Sequence, residues 1–221
     1  MADLIEDIDP VHVRGGMAAV RAEVAAACDR AGRDPAEVEV VTASKYVGVD
    51  DMGLLAEAGI GLVGENRAQE MAAKAERWPG LFQFDFIGRL QSRKVKQVVP
   101  LARLIHSVAS ESVLVQLERH GTPETKVLVQ VNVAGEEAKD GVAPDELPSF
   151  IERCPVEVVG LMTMPPFAAD PEESRRWFAD LAAMARENAL PELSMGTTQD
   201  FPVAVEEGAT LIRVGSRILR P

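Results

Sequence analysis

Val38-Glu39-Val40-Val41-Thr42-Ala43-Ser44-Lys45 reads as a β-strand that ends in a lysine. Half of the run is β-branched, as a pleated, packed surface favours. It is the first of eight such runs; the others fall near 60–64, 83–88, 104–108, 125–132, 156–163, 192–195 and 209–214. Between them, helical spacing of apolar residues falls near 50–58, 67–77, 92–102, 110–120, 144–153, 171–189 and 199–207. A first helix runs from about Val11 to Ala31, where Gly32 stops it. Asp170-Pro171-Glu172-Glu173 has the form of an N-cap with proline at N1 and acids in the first turn. Gly59, Gly121 and Gly208 sit just past helix ends.

Eight strands alternating with helices predict an α/β chain folded as a single-domain (β/α)8 barrel over residues 1–221, with an additional N-terminal helix. The alternative is an open doubly wound sheet, for which eight parallel strands in so short a chain would be unusual. Only Arg217 to Pro221 lie well beyond the last strand, too few for a substantial eighth outer helix. The N-terminal helix is therefore expected to fill that gap in the outer ring.

Composition narrows the function. The 221 residues are 47% hydrophobic and 26% charged, as in ordinary globular proteins, with a net charge of −12. Such a field repels phosphate, so nucleic acid and anionic membranes are not expected partners. A local cationic pocket for one small phosphate remains open. No apolar stretch approaches 18 residues and no basic region precedes an apolar core, so neither a membrane span nor a signal peptide is expected. Two cysteines, Cys28 and Cys154, suit a reducing cytoplasm better than a disulfide framework. His12, His106 and His120 are scattered, which argues against structural zinc.

The loops after barrel strands build the active face. There the sequence places Lys45, Gly64-Glu65-Asn66, Gly88-Arg89-Leu90-Gln91-Ser92, Asn132, Met162-Thr163-Met164, Ser194-Met195-Gly196-Thr197-Thr198 and Arg213-Val214-Gly215-Ser216. Polar and glycine residues thus gather at one rim. The last two loops suit a phosphate, since glycine lets backbone approach closely, hydroxyls donate, and a helix starting near Thr198 offers oriented N–H groups. Alternation puts Leu211, Arg213 and Gly215 on one face of the last strand and Ile212 and Val214 on the other. Arg213 then points into the barrel mouth, to meet either a ligand or a rim carboxylate such as Glu65. Ser194 and Ser216 either bind the ligand or cap turns. A strand-end lysine is commonly just solvated, but a partly dry mouth with Arg213 nearby would favour the neutral amine that attacks an aldehyde. Tyr46 is expected to alternate away from Lys45.

Six ordered motifs carry a resemblance over about residues 10–219. They are Val41-Thr42-Ala43-Ser44-Lys45, Gly64-Glu65-Asn66-Arg67-Ala68-Gln69-Glu70, Phe86-Ile87-Gly88-Arg89-Leu90-Gln91-Ser92-Arg93-Lys94, Gly160-Leu161-Met162-Thr163-Met164, Ser194-Met195-Gly196 and the stretch from Glu206 to Ser216. The chain resembles the pyridoxal phosphate homeostasis proteins. That resemblance implies a barrel related to the barrel half of alanine racemase, holding pyridoxal 5′-phosphate as a Schiff base on Lys45. It also implies that Arg213 faces the pyridine nitrogen, that Ser194, Gly215 and Ser216 surround the phosphate, and that Asn66 lines the pocket. Departures from the family pattern occur at Tyr46, Arg67, Arg89, Arg93 and Ser216, and in Thr197-Thr198-Gln199-Asp200.

These readings predict a cytoplasmic protein that stores, buffers or delivers the cofactor, with transient contact with pyridoxal phosphate-dependent apoenzymes, and no catalytic cycle. A slow amino-acid racemase and a phosphate-binding barrel isomerase without the cofactor are the alternatives. His106 is expected to be a hydrogen-bonded barrel residue, and Trp78, Trp177 and Phe178 packing residues. Arg89, Arg93, Lys94 and Lys96 read as a solvated basic face.

Overall fold

The computed structural model describes residues 4–136 and 140–220. Eight parallel strands close into a barrel in chain order, β8 returning to pair with β1, which rules out the open sheet. The strands are β1 (Glu39–Ala43), β2 (Leu62–Glu65), β3 (Gln83–Phe86), β4 (Ala102–Val108), β5 (Lys126–Gln130), β6 (Glu157–Met162), β7 (Glu192–Thr197) and β8 (Leu211–Val214). Around them lie α1 (Pro10–Ala31), α2 (Met52–Glu57), α3 (Ala68–Arg77), α4 (Val95–Val98), α5 (Glu111–His120), α6 (Leu147–Glu152), α7 (Arg175–Glu187), α8 (Phe201–Glu206) and α9 (Ser216–Leu219). Among the described residues no helix is long and apolar enough to cross a membrane.

Period-two alternation splits the apolar residues into two cores. Val41, Leu104, Leu128, Met162 and Leu211 form a small cluster of their own. The larger cluster takes the other strand faces, Ile212 and Val214 among them, and the inner faces of the helices. α1 packs on α8 and α9 and so occupies the place left by the four-residue α9, as expected. Its close approach depends on Gly16, where an added Cβ would stand 2.8 Å from the Ile218 carbonyl oxygen. The α1 stop is also as read: Gly32 is left-handed (φ 66°) and its N–H caps α1. Asp170 accepts the Glu172 N–H at 3.0 Å, opening a 3-10 turn that leads into α7.

One helix falls furthest short of its pattern. The expected helix 92–102 is a 3-10 turn (Ser92–Lys94) followed by α4, and β4 begins at Ala102. Pro100 has no N–H to donate, so helical hydrogen bonding stops there although Val99 keeps helical angles (φ −49°, ψ −49°).

Two register irregularities matter for the site. Phe84 pairs with Ala102 and Asp85 with Leu104, so Arg103 is an extra residue in β4. Ser194 pairs with Leu211 and Thr197 with Arg213, so β7 carries an extra residue around Gly196 (φ 87°).

Candidate functional site

At the C-terminal ends of the strands lies a cavity of about 410 Å³. Its wall is built from Ala43, Lys45 and Tyr46 after β1, Asn66 after β2, Ile87 and Gly88 after β3, and Met164 after β6. Thr197, Thr198 and Gln199 come from the β7 end, and Arg213, Gly215 and Ser216 from the β8 end. Five of the six residues singled out from sequence, Lys45, Asn66, Arg213, Gly215 and Ser216, therefore meet in one cavity. Asn66 is held by an intimate contact between loops, because a Cβ on Gly88 would stand 2.3 Å from the Asn66 carbonyl oxygen.

Ser194 does not reach the wall. It is fully buried, one layer deeper, at the level of Leu211. The extra residue in β7 brings Thr197 level with Arg213 instead, so the aliphatic hydroxyl residues at the cavity are Thr197, Thr198 and Ser216. A glycine inside a strand run, Gly196, was the one sequence signal for this shift.

Tyr46 also differs from expectation. β1 ends at Ala43, the chain turns, and the side chains no longer alternate. Lys45 Nζ consequently lies 4.8 Å from the Tyr46 ring centroid, and the Arg220 guanidinium carbon lies 5.4 Å from the same ring.

Arg213 faces inward as the alternation requires, but it meets no carboxylate among the described residues. Its Nη1 donates to Ser194 Oγ at 2.5 Å, and its Nη2 to the Thr163 carbonyl at 2.9 Å and to Met164 Sδ at 3.1 Å. Burial lowers its pKa to about 10, so it stays charged at neutral pH. Glu65 is not its partner. That carboxylate lies on the outer face of the barrel, where Oε1 accepts from Lys74 Nζ at 2.5 Å and from Ser44 Oγ at 2.6 Å. Lys74 also donates to the Ser44 carbonyl at 2.8 Å, pinning the backbone next to Lys45.

Beneath Arg213 the barrel interior is polar. Ser194 Oγ lies 2.8 Å from His106 Nδ1, and His106 Nε2 lies 3.1 Å from Asp85 Oδ2. Asp85 takes two 2.8 Å bonds from Arg103 Nε and Nη2, while Arg103 Nη1 reaches Glu39 at 2.8 Å. His106 is thus the hydrogen-bonded barrel histidine that was expected. Burial drives its pKa down despite Asp85. Burial alone would raise the Asp85 carboxyl, but the bonds from Arg103 and His106 outweigh it and hold the pKa below the ordinary carboxylate range.

Two of the aromatic residues read as packing residues do pack against the core. Phe178 is fully buried, and Trp78 donates to the Val49 carbonyl at 2.7 Å. Arg89 is exposed and pairs with Asp140 at 2.9 Å. Among the described residues no group of three or more His, Cys, Asp or Glu could hold a metal ion.

Comparison with known proteins then decides the family. The alanine racemase N-terminal domain family matches residues 16–219. A pyridoxal phosphate homeostasis protein of Aquifex aeolicus is 39% identical over 204 residues, covering 86% of this chain and 90% of that protein. This chain belongs to the pyridoxal phosphate homeostasis protein family. A structure of an unknown protein from Bifidobacterium adolescentis is 30% identical, with a TM-score of 0.86 and 98% of both chains covered. PipY of Synechococcus elongatus, solved with pyridoxal phosphate bound, is 29% identical with a TM-score of 0.77, covering 94% of this chain and 99% of its own. The family's barrel is thus present here at nearly full length.

Proposed function

We propose that this protein binds pyridoxal 5′-phosphate in the barrel mouth and serves the cell as a holder and donor of the cofactor. One observation carries the reading: a buried, charged arginine with no carboxylate partner among the described residues shares a cavity with a strand-end lysine. A buried cation with no carboxylate in contact, and only the more distant charge of Asp200 to favour it, is costly, so an acceptor in the cavity would relieve it. Pyridoxal phosphate brings an aldehyde that condenses with a primary amine, a phosphate that needs several donors, and a pyridine nitrogen that accepts one hydrogen bond. Lys45 supplies the amine, Arg213 the donor to the nitrogen, and Gly215 and Ser216, with Thr198, the donors to the phosphate, while the Thr197 N–H and hydroxyl donate to Asp200 Oδ1 at 2.7 and 3.1 Å. Asn66 completes the wall. In this reading Ser194 serves from behind, by holding Arg213.

The same residues favour holding over turnover. Arg213 is a donor only and cannot accept a proton from a pyridinium, so it leaves a pyridine nitrogen neutral and carbanion stabilisation weak. Tyr46 puts a second proton-bearing group in the cavity, but it leaves the same strand end as Lys45 and touches its Nζ. Racemisation needs groups on both faces of the substrate. We place the protein in the cytoplasm, where both cysteines are free and where recipient apoenzymes could meet it in transient contact.

An absorbance spectrum with and without borohydride, followed by mass mapping, tests the assignment. Wild-type protein should show a visible band and a reductively trapped adduct on Lys45, both lost in Lys45→Ala. An unlabelled peptide around residue 45 after saturation with the cofactor would refute it. Sustained inversion of single amino-acid enantiomers by pure protein would favour the racemase instead.

A further inference from the structure

The polar file under the cavity has a direction that its two ends impose. Arg213 is a donor only, and the Asp85 carboxylate, ionised at neutral pH, is an acceptor only. Asp85 Oδ2 therefore takes a proton from His106 Nε2–H, which leaves Nδ1 of the neutral ring bare. Nδ1 must then accept from Ser194 Oγ–H, and the serine oxygen is left with lone pairs for Arg213 Nη1. The other neutral tautomer would set a bare Nε2 against the carboxylate, acceptor against acceptor, and burial disfavours a charged ring. Arg103 closes the far end with its two bonds to Asp85, at the opposite mouth of the barrel, where its side chain is still 29% exposed. It arrives there only because β4 carries an extra residue. Desolvating Asp85, His106 and Ser194 costs several kcal/mol unless every group is satisfied, and apolar side chains would fill the same layer without that cost.

We propose that Asp85 and His106 are positioning residues for Arg213: acting through Ser194, they fix its guanidinium as a donor aimed at the cavity. Nη1 donates to Ser194 and Nη2 to the Thr163 carbonyl and Met164 Sδ, which leaves the second Nη1 hydrogen and Nε–H without a partner among the described residues, on a side chain that lines the cavity. The cofactor reading supplies only the identity of the acceptor; the orientation belongs to the free protein.

The experiment has two arms. In cofactor-free protein, ¹⁵N NMR of the His106 ring should show Nε2 protonated and Nδ1 bare between pH 6 and 8. An Nδ1–H tautomer or a charged ring there would overturn the proposal. In the second arm, pyridoxal phosphate release is timed for wild type, His106→Phe, Arg213→Met and the double variant, each first checked for a cooperative unfolding transition. His106→Phe should release the cofactor about tenfold faster, a change of about 1.4 kcal/mol, and shift the visible band. Added to Arg213→Met it should change release little further, because its effect passes through that arginine. Additive effects would mean simple packing and would sink the idea. Should His106→Phe fail to fold, Ser194→Ala cuts the same file with the loss of one oxygen and should give the same pattern. Failure of wild type to label at Lys45 would defeat the functional reading, while the first arm would still judge this one.

Discussion

Lys74 and Glu65 show what a single side chain contributes away from the cavity. Both are almost completely buried in the layer between barrel and helices, and Glu65 Oε2 has no hydrogen-bond partner among the described residues. Removing one member leaves the other charge buried and uncompensated, so Lys74→Met should cost about 3–5 kcal/mol in urea unfolding, with part recovered in Lys74→Met/Glu65→Gln. A cost below about 1 kcal/mol would mean that the pair is not desolvated as described. At Arg213 the quantity at stake is affinity. Arg213→Met removes a charged donor worth about 1.5–3 kcal/mol, so cofactor retention should fall about 10- to 100-fold; wild-type retention would remove Arg213 from the site. The orientation of Arg213 was legible because a strand has a strict period of two. The neighbours of Lys45 were not, since the strand ends at Ala43 and the period ends with it.

At the scale of elements, α1 offers a paired test. Gly15 and Gly16 are adjacent, yet a Cβ on Gly15 would meet nothing within 4 Å, while one on Gly16 would strike the backbone of Ile218. Gly15→Ala should stabilise by about 0.5–1 kcal/mol through helix propensity, and Gly16→Ala should destabilise; equal thermal midpoints for the two would contradict the packing of α1 on α9. All eight strands were readable from their apolar runs, and the gap-filling place of α1 followed from the short stretch beyond β8. What escaped was register. The extra residues at Arg103 and near Gly196 move Ser194 out of the cavity wall and bring Arg103 to Asp85, and nothing in local hydrophobicity distinguishes a bulged strand from a regular one. The early end of α4 had a visible cause in Pro100, hidden by the apolar pattern that continues through Leu101.

For the whole molecule, the buried interior couples stability to pH. His106 and Asp85 both titrate lower in the folded protein than in the unfolded chain, so the unfolded state binds more protons as acidity rises. Their stabilisation is complete above the unfolded values and is lost on acidification, starting near pH 6.5 for the histidine and near pH 4 for the aspartate. Urea midpoints should therefore fall between pH 7 and pH 5, and this slope should flatten in His106→Asn; an unchanged slope would assign it elsewhere. The seat of α1 has a kinetic meaning as well. α1 leaves the ribosome well before α8 and α9, its main neighbours, which lie some two hundred positions further on, and such distant partners make ring completion slow. Until they emerge, the apolar face of α1 that carries Val13, Met17, Val20 and Val24 lacks most of its cover, so a stalled nascent chain should be a natural client for chaperones that grip greasy helices.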